Sequence, residues 1–408
     1  MKIPSLKLLL LAPLAALLCA ASDTTLPALL CTEGGRTVRN ARQWERQRRP
    51  EILRMLSAEV YGIAPDTRVE TSYRTVEEER EALDGAATRR QVRITLRTDA
   101  GEEHTADMLL YIPNGADAPV PVIFGLNFKG NHGTTTDPAV IMPAGPKSST
   151  TVAPRGDNAR RWPYAEAVAR GYAVATICKD DFFPDRRDGY AESVLPMLYR
   201  NSQIPDSVRM KAVGAWAWGI SRAIDCLETM QEIDPHRIMV LGHSRLGKTS
   251  LWAAATDPRI AIAVSNDSGS TGAALARGNN GETVEDITTH FPYWFTDTYS
   301  RYNGRETQMP FDQHMLLALV APRPLYVASA SLDAWADPRN EMRSAQLCGE
   351  VYRLYGRKPL TWQQSELPPA GSTFLDGDVA YHLREGGHDI LSYDWQRFMD
   401  FADKYFKK

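Results

Sequence analysis

Cysteine is scarce in this chain, with five among 408 residues, and none stands in the paired spacing that a zinc site requires. There is no His-Glu-x-x-His string and no phosphate-cradling glycine loop after a first strand, so neither metal nor nucleotide cofactor is expected. Neither sign of charge dominates. Lys and Arg total 47 against 50 Asp and Glu, a net charge of −3, which lacks the basic footprint of a nucleic-acid binder. Past Leu18 no apolar run approaches the roughly 20 residues of a membrane helix, so no membrane span is expected. At 24% charged and 43% hydrophobic, the chain is neither disordered, collagenous nor a coiled coil as a whole.

The one long apolar stretch lies at the start. Lys2 and Lys7 supply positive charge, Leu8 to Leu18 is apolar except for Pro13, and Ala20, Ala21 and Ser22 precede a polar segment from Asp23. That is the three-part plan of a secretory signal peptide, expected over residues 1–21, with a catalytic domain over 22–408 and a destination in the periplasm or outside the cell. Leu17 and Leu18 are bulky for residues ahead of a lipidated Cys19, so a lipid anchor is disfavoured. Cys31, Cys178, Cys226 and Cys348 then remain, and an exported chain permits up to two disulfides in three pairings. Buried thiols are an equal alternative for Cys178 and Cys226, which lie in apolar segments.

Apolar residues Trp44, Ile52, Leu53, Leu56 and Val60 mark a helical face between Asn40 and Tyr61, and the arginines from Arg36 to Arg49 read as its solvated side. Strands are predicted at Gln91–Arg97, Asp107–Ile112, Val120–Leu126 and Tyr172–Ile177. Beyond them, apolar runs alternate with helices: helix Val208–Met230, strand Arg237–Leu241, helix Arg245–Ala255, strand Ile260–Ser265, helix Asp312–Leu319, strand Leu325–Ala328, helix Asn340–Leu354, strand Val379–His382 and helix Tyr393–Phe406. Continuously apolar strands separated by helices imply a mostly parallel sheet covered on both faces. The Pro-, Ser- and Thr-rich segment Thr134–Asn158 is expected as a long surface loop at an active-site rim, because the alternation continues on both sides of it. A single α/β domain with inserted loops follows.

The strand Ile238–Leu241 runs into Gly242-His243-Ser244-Arg245-Leu246-Gly247-Lys248 and then a helical stretch. A serine between glycines at a strand–helix turn is a nucleophile elbow, which lifts the hydroxyl above the sheet edge and aims a helix N-terminus at developing negative charge. The second glycine comes one residue late, since Leu246 stands where G-x-S-x-G places it. A serine nucleophile needs a base and an acid in the order Ser, acid, His. His388, in Arg384-Glu385-Gly386-Gly387-His388-Asp389, sits in a loop between the last strand and the last helix, where this fold presents its base. His382 reads as structural, and His290 and His314 come too early. Asp267 and Asp333 both end parallel strands, where functional groups of such sheets gather, and the residues alone do not choose between them.

The strings GHSRLGK, Ser265-Asn266-Asp267-Ser268-Gly269, Gly281-Glu282-Thr283-Val284, Phe291–Phe295, Trp216-Ala217-Trp218-Gly219 and Asn127–His132 together resemble the bacterial glucuronoyl esterases of carbohydrate esterase family fifteen, over nearly the whole mature chain. The resemblance implies an α/β-hydrolase fold. It also implies cleavage of the ester joining 4-O-methyl-D-glucuronic acid of glucuronoxylan to lignin alcohols. It assigns Ser244 as nucleophile, His388 as base and Arg245 as oxyanion stabiliser, with Lys248, Glu282 and Trp335 binding the glucuronate. Without it, these last three read as a solvated lysine, a surface acid and a core aromatic. The chain departs from the fungal pattern, in which glutamate is common at the position of Asp267. Some bacterial members carry the acid after the following strand, which favours Asp333 as orienter with Asp267 in support. Alternatives are an acetyl or feruloyl esterase on xylan and a non-catalytic carbohydrate-binding scaffold. A monomer is expected.

Overall fold

The computed structural model describes residues 26–117, 119–148 and 151–407; the expected signal segment, residues 1–21, lies outside them. Ten strands form one sheet in the order β1-β2-β3-β5-β4-β6-β7-β8-β10-β9. These are β1 Val69–Ala82, β2 Ala87–Thr98, β3 Glu103–Pro113, β4 Val120–Asn127, β5 Ala173–Cys178, β6 Ile233–His243, β7 Ile262–Asn266, β8 Leu325–Ala330, β9 Thr373–Phe374 and β10 Val379–Arg384. From β5 through β4, β6, β7 and β8 to β10 neighbouring strands run parallel, whereas β1, β2 and β3 form an antiparallel wing and β9 closes the other edge antiparallel.

The parallel strands are buried on both faces, and their side chains alternate between two cores. Val122, Phe124 and Leu126 of β4 face one core with helices Ala212–Leu227, Arg245–Thr256 and Pro338–Leu354, while Ile123 faces the other with Trp395 and Phe398 of the C-terminal helix Ser392–Phe406. The period of two puts neighbours on opposite faces, which is why an uninterrupted apolar run is a strand here. Every predicted strand and helix is present, with ends moved by a few residues. No helix among the described residues is long and apolar enough to cross a membrane.

Three local features differ from expectation. Strand β1, with the sequence VETSYRTVEEEREA, was not predicted, because as an edge strand it carries acidic residues that mask its alternation. It is pinned to β2 by Arg89–Glu77 at 2.6 Å and Arg90–Glu78 at 2.7 Å. The N-terminal helical region is not a uniform α-helix but contains π-helical turns at Trp44–Arg48 and Ser57–Tyr61. On it Arg48 departs from the solvated face: it is buried, donating from Nε to Leu29 O at 3.1 Å and from Nη2 to Ala28 O at 3.1 Å. Among the described residues no disulfide joins the four cysteines. Burial pushes the thiols of Cys178 and Cys226 up to about 12, so neither is a reactive thiolate.

Candidate active site

Ser244 caps the helix Arg245–Thr256 with φ 58° and ψ −129°, a left-handed conformation for a residue with a side chain. Such strain costs about 1–3 kcal/mol and persists only where the surroundings enforce it. Here they do. A Cβ on Gly242 would stand 1.8 Å from Leu246 O, and one on Gly247 would stand 2.8 Å from Ser268 Cβ. The first glycine therefore permits the sharp turn, and the displaced second glycine lets the helix pack against the loop after β7. Ser244 N–H is tied to Asn266 O at 2.9 Å, and Ser244 O accepts from Gly247 N–H. Arg245 N–H is left among the orphan donors of the first helical turn, the position that supplies one oxyanion-hole donor in such elbows.

The loop after β10 carries His388, and Asp333 follows β8. His388 Nδ1 bonds Asp333 Oδ2 at 2.6 Å, the short distance of a charge-assisted pair. Asp333 is buried and His388 is 42% exposed, so the imidazole is anchored from below and open to the cleft with Nε2 uncommitted. The loop itself is fixed by Arg384, which donates to Gly387 O at 2.9 Å and Asp389 O at 3.0 Å. His382 is structural as expected: it is buried between Tyr326 Oη and Asp394, each at 2.9 Å.

Asp267 does not bond His388. Its Oδ2 accepts from Asp389 N–H at 3.3 Å and Asn266 Nδ2 at 3.2 Å, and Oδ1 is buried without a partner. Burial, then the charges of Glu341 and Asp333, push its carboxyl well above the usual range, and Arg384 opposes them only in part. Asp267, Asp333 and His388 offer three ligand atoms within 4.8 Å of one another. A hydrogen bond already joins two of them, and burial drives the third toward its protonated form, so the set fits an imidazole held by a carboxylate better than a metal. His243, beside the serine, lies against His388 with ring centroids 4.6 Å apart and is kept neutral by burial and by the adjacent His388 and Arg161.

Arg245 is held where sequence reasoning had no signal. Its Nη1 donates to Asp185 Oδ2 at 2.6 Å, and its guanidinium lies over Trp294 at 4.5 Å, Phe291 at 5.4 Å and Phe128 at 6.0 Å. Asp185 also takes Lys179 Nζ at 3.2 Å, Trp294 Nε1 at 2.9 Å and Tyr293 Oη at 3.1 Å. Burial alone would raise its carboxyl, but Lys179 and Arg245 hold it below the usual value. The result is a cation fixed by a buried anion and stacked on aromatic faces. Phe128 also lines a cavity of about 450 Å³ with Ile141, Met142 and Asp180, which brings the segment Thr134–Asn158 to this side of the site.

On the remaining side Lys248 is buried. Its ammonium donates to Ser268 O at 2.6 Å and to Ser270 O, with Glu282 Oε2 at 3.5 Å. Glu282 is buried too, and its N–H donates to Trp335 O at 2.9 Å. Trp335 is 54% exposed, an aromatic face turned to solvent rather than a core residue. The three predicted binding residues are thus contiguous, beside the acid-bearing strand ends.

The family model for fungal glucuronyl esterases matches residues 198–356. A carbohydrate esterase of an unknown prokaryotic organism is 40% identical over 395 residues, which cover 93% of this chain and 89% of that protein. The chain belongs to the glucuronoyl esterase family. The solved glucuronoyl esterase from Solibacter usitatus is also 40% identical, with a TM-score of 0.87 over 93% of this chain and 97% of that one. A 4-O-methyl-glucuronoyl methylesterase of Podospora anserina is 43% identical over 126 residues, 28% of this chain and 26% of that protein. Membership brings the α/β-hydrolase fold and carboxylic ester hydrolysis as the family's class of reaction. The sheet described above, with its serine elbow after β6 and its histidine after β10, is that fold.

Proposed function

We propose that the protein hydrolyses the ester between 4-O-methyl-D-glucuronic acid of glucuronoxylan and lignin alcohols through a Ser244 acyl-enzyme. The 2.6 Å bond between His388 Nδ1 and Asp333 carries this reading, because it fixes the tautomer whose Nε2 accepts the serine proton. Ser244 Oγ attacks the uronoyl carbonyl carbon, and its proton passes to Nε2. The oxyanion is met by Arg245, through its N–H and its guanidinium, and by the N-terminus of the helix it begins. The intermediate collapses, the C–O bond to the alcohol breaks, and His388 returns the proton to the leaving oxygen. Water then adds to the acyl-enzyme by the same steps, releasing the glucuronate and Ser244.

Lys248, Glu282 and Trp335 hold the sugar in this reading, with the indole against the ring and the buried charges toward its hydroxyls. Asp333 orients His388, and Asp267 supports it from beside. The names of the fungal relatives favour the methyl-glucuronoyl ester as acyl part. Export follows from the pattern over residues 1–21, and the protein acts as a monomer in the periplasm or outside the cell. Steady-state hydrolysis of benzyl glucuronate and of an aryl acetate, with Ser244→Ala as control, tests the proposal. Turnover of the glucuronate ester that falls by at least about 10³ in the variant is the expected result. Turnover of acetate alone would replace the substrate with a simpler ester, and no turnover of either would leave a binding scaffold.

A further inference from the structure

Glu341 is a fully buried carboxyl that the reaction does not use. It sits in the first turn of the helix Pro338–Leu354, and its hydrogen-bond donors are all neutral. Gly269 N–H and Ser268 Oγ reach Oε1 at 2.9 and 3.3 Å, and Ser329 Oγ reaches Oε2 at 2.7 Å. The Lys248 ammonium feels the Glu341 charge but donates to other groups, and a carboxylate buried without a bonded cation is costly to keep. What it holds is unusual as well: the loop after β7 has positive φ at Asp267, Gly269 and Thr271, and this loop provides the Ser268 and Ser270 carbonyls on which the Lys248 ammonium rests.

We propose that Glu341 is a positioning residue: it ties the 267–272 loop to β8 through Ser329, and so aims the Lys248 ammonium at the sugar side of the site. The two carboxyl oxygens divide the task. Oε1 fixes the loop, and Oε2 fixes the strand β8, whose end leads to Asp333. Ser268 Oγ accepts from Ser265 Oγ at 2.7 Å and from Ala273 N–H at 2.8 Å, so its one proton is committed to Glu341. Burial pushes the Glu341 carboxyl up to about 7, and what the group supplies to the loop and the strand is hydrogen-bond placement rather than an ion pair. The proposal rests on the reading of Lys248 as a glucuronate-binding group.

A glutamine of the same length should therefore replace it, its Oε1 accepting from Gly269 N–H and its Nε2 donating to the Ser329 hydroxyl, and a charged side chain a methylene shorter should not. With the mature chain, Glu341→Asp is expected to raise KM for benzyl glucuronate about tenfold, the size of one good hydrogen bond, with kcat within about threefold. Glu341→Gln is expected to stay within about threefold of wild type in both constants. Hydrolysis of an aryl acetate, which has no sugar to place, should lose less than about threefold in the Asp variant. Equal effects of Asp and Gln, or parallel losses on both esters, would overturn the proposal. Should the Asp variant not fold, Ser268→Ala removes one of the two loop-side bonds, leaving that from Gly269 N–H, and must raise the same KM selectively. A wild type that hydrolyses acetate and not benzyl glucuronate would overturn the glucuronate reading itself, and this inference with it.

Discussion

Two buried aspartates on opposite sides of Ser244 are driven in opposite directions. Asp185, behind Arg245, is held below the ordinary carboxylate range, and Asp267, beside His388, is pushed well above it. Burial raises both. The difference lies in the neighbours: Asp185 faces Lys179 and Arg245, whereas Asp267 faces Glu341 and Asp333. One side of the elbow is thus a fixed ion pair, with the cation turned to the cleft. The other is a cluster of buried carboxyls in which Asp267 is pushed toward its protonated form while Asp333 holds the imidazole. Oxyanion stabilisation calls for charge that does not move, and general base catalysis calls for a proton that does.

The largest expected effect separates the acids within the carboxyl cluster. Asp333→Asn should lower kcat on benzyl glucuronate by about 10³–10⁴, because the amide offers His388 Nδ1 the wrong tautomer. Asp267→Asn should cost less than about tenfold. A reversal of the two would remove the assignment of Asp333. On the other side, Arg245→Met should cost about 10²–10³ in kcat, the loss typical of one oxyanion donor.

Next comes the anchor of that arginine. Asp185→Asn leaves Arg245 without its buried carboxylate, while Lys179 keeps Asp180 at 2.6 Å, so a loss of about 3 kcal/mol in urea unfolding is expected at neutral pH. The sign follows from the lowered carboxyl. Its contribution is present above the unfolded value and is lost as pH falls through the folded one, so the gap between wild type and variant should close in acid.

The smallest effect is the mirror image. The Asp267 carboxyl is raised, so its contribution is present below its ordinary value of 3.8 and is lost as pH rises toward the folded one. Asp267→Asn, with no such loss, should gain in melting temperature over wild type between pH 4 and pH 8. A gap independent of pH would mean that Asp267 is ionised in the fold.

Ser244 and His388 were legible as candidates because each is announced locally: Ser244 by a strand, a glycine turn and a helix, and His388 by its place between the last strand and the last helix. Asp333 and Asp267 were equally legible and not separable, since both end parallel strands and only the path of the β10 loop decides which meets the imidazole. Asp185 and Glu341 were invisible. Each acts on a residue tens of positions away in the chain, Arg245 and Gly269, through contacts that exist only once the sheet is assembled. Lys248 was named by the family resemblance, but nothing in the sequence shows that it is buried against backbone carbonyls. Strand β1 was missed for a different reason, since its charges obscure the alternation that marks a half-buried strand.

Those charges have a consequence for how the molecule behaves among copies of itself. A sheet of ten strands presents two rims of unpaired peptide groups, and a long bare rim is a template for chain-to-chain zippering. Here one rim is β9, only Thr373–Phe374. The other is β1, where Glu77, Glu78, Glu79 and Glu81 fall within five positions. Glu77 and Glu78 are taken up by Arg89 and Arg90, so the charge left to oppose an approaching copy is chiefly that of Glu79 and Glu81, and the short rim offers little to hold. The antiparallel wing thereby gives a broad sheet a charged outer rim of the kind that discourages edge-to-edge pairing.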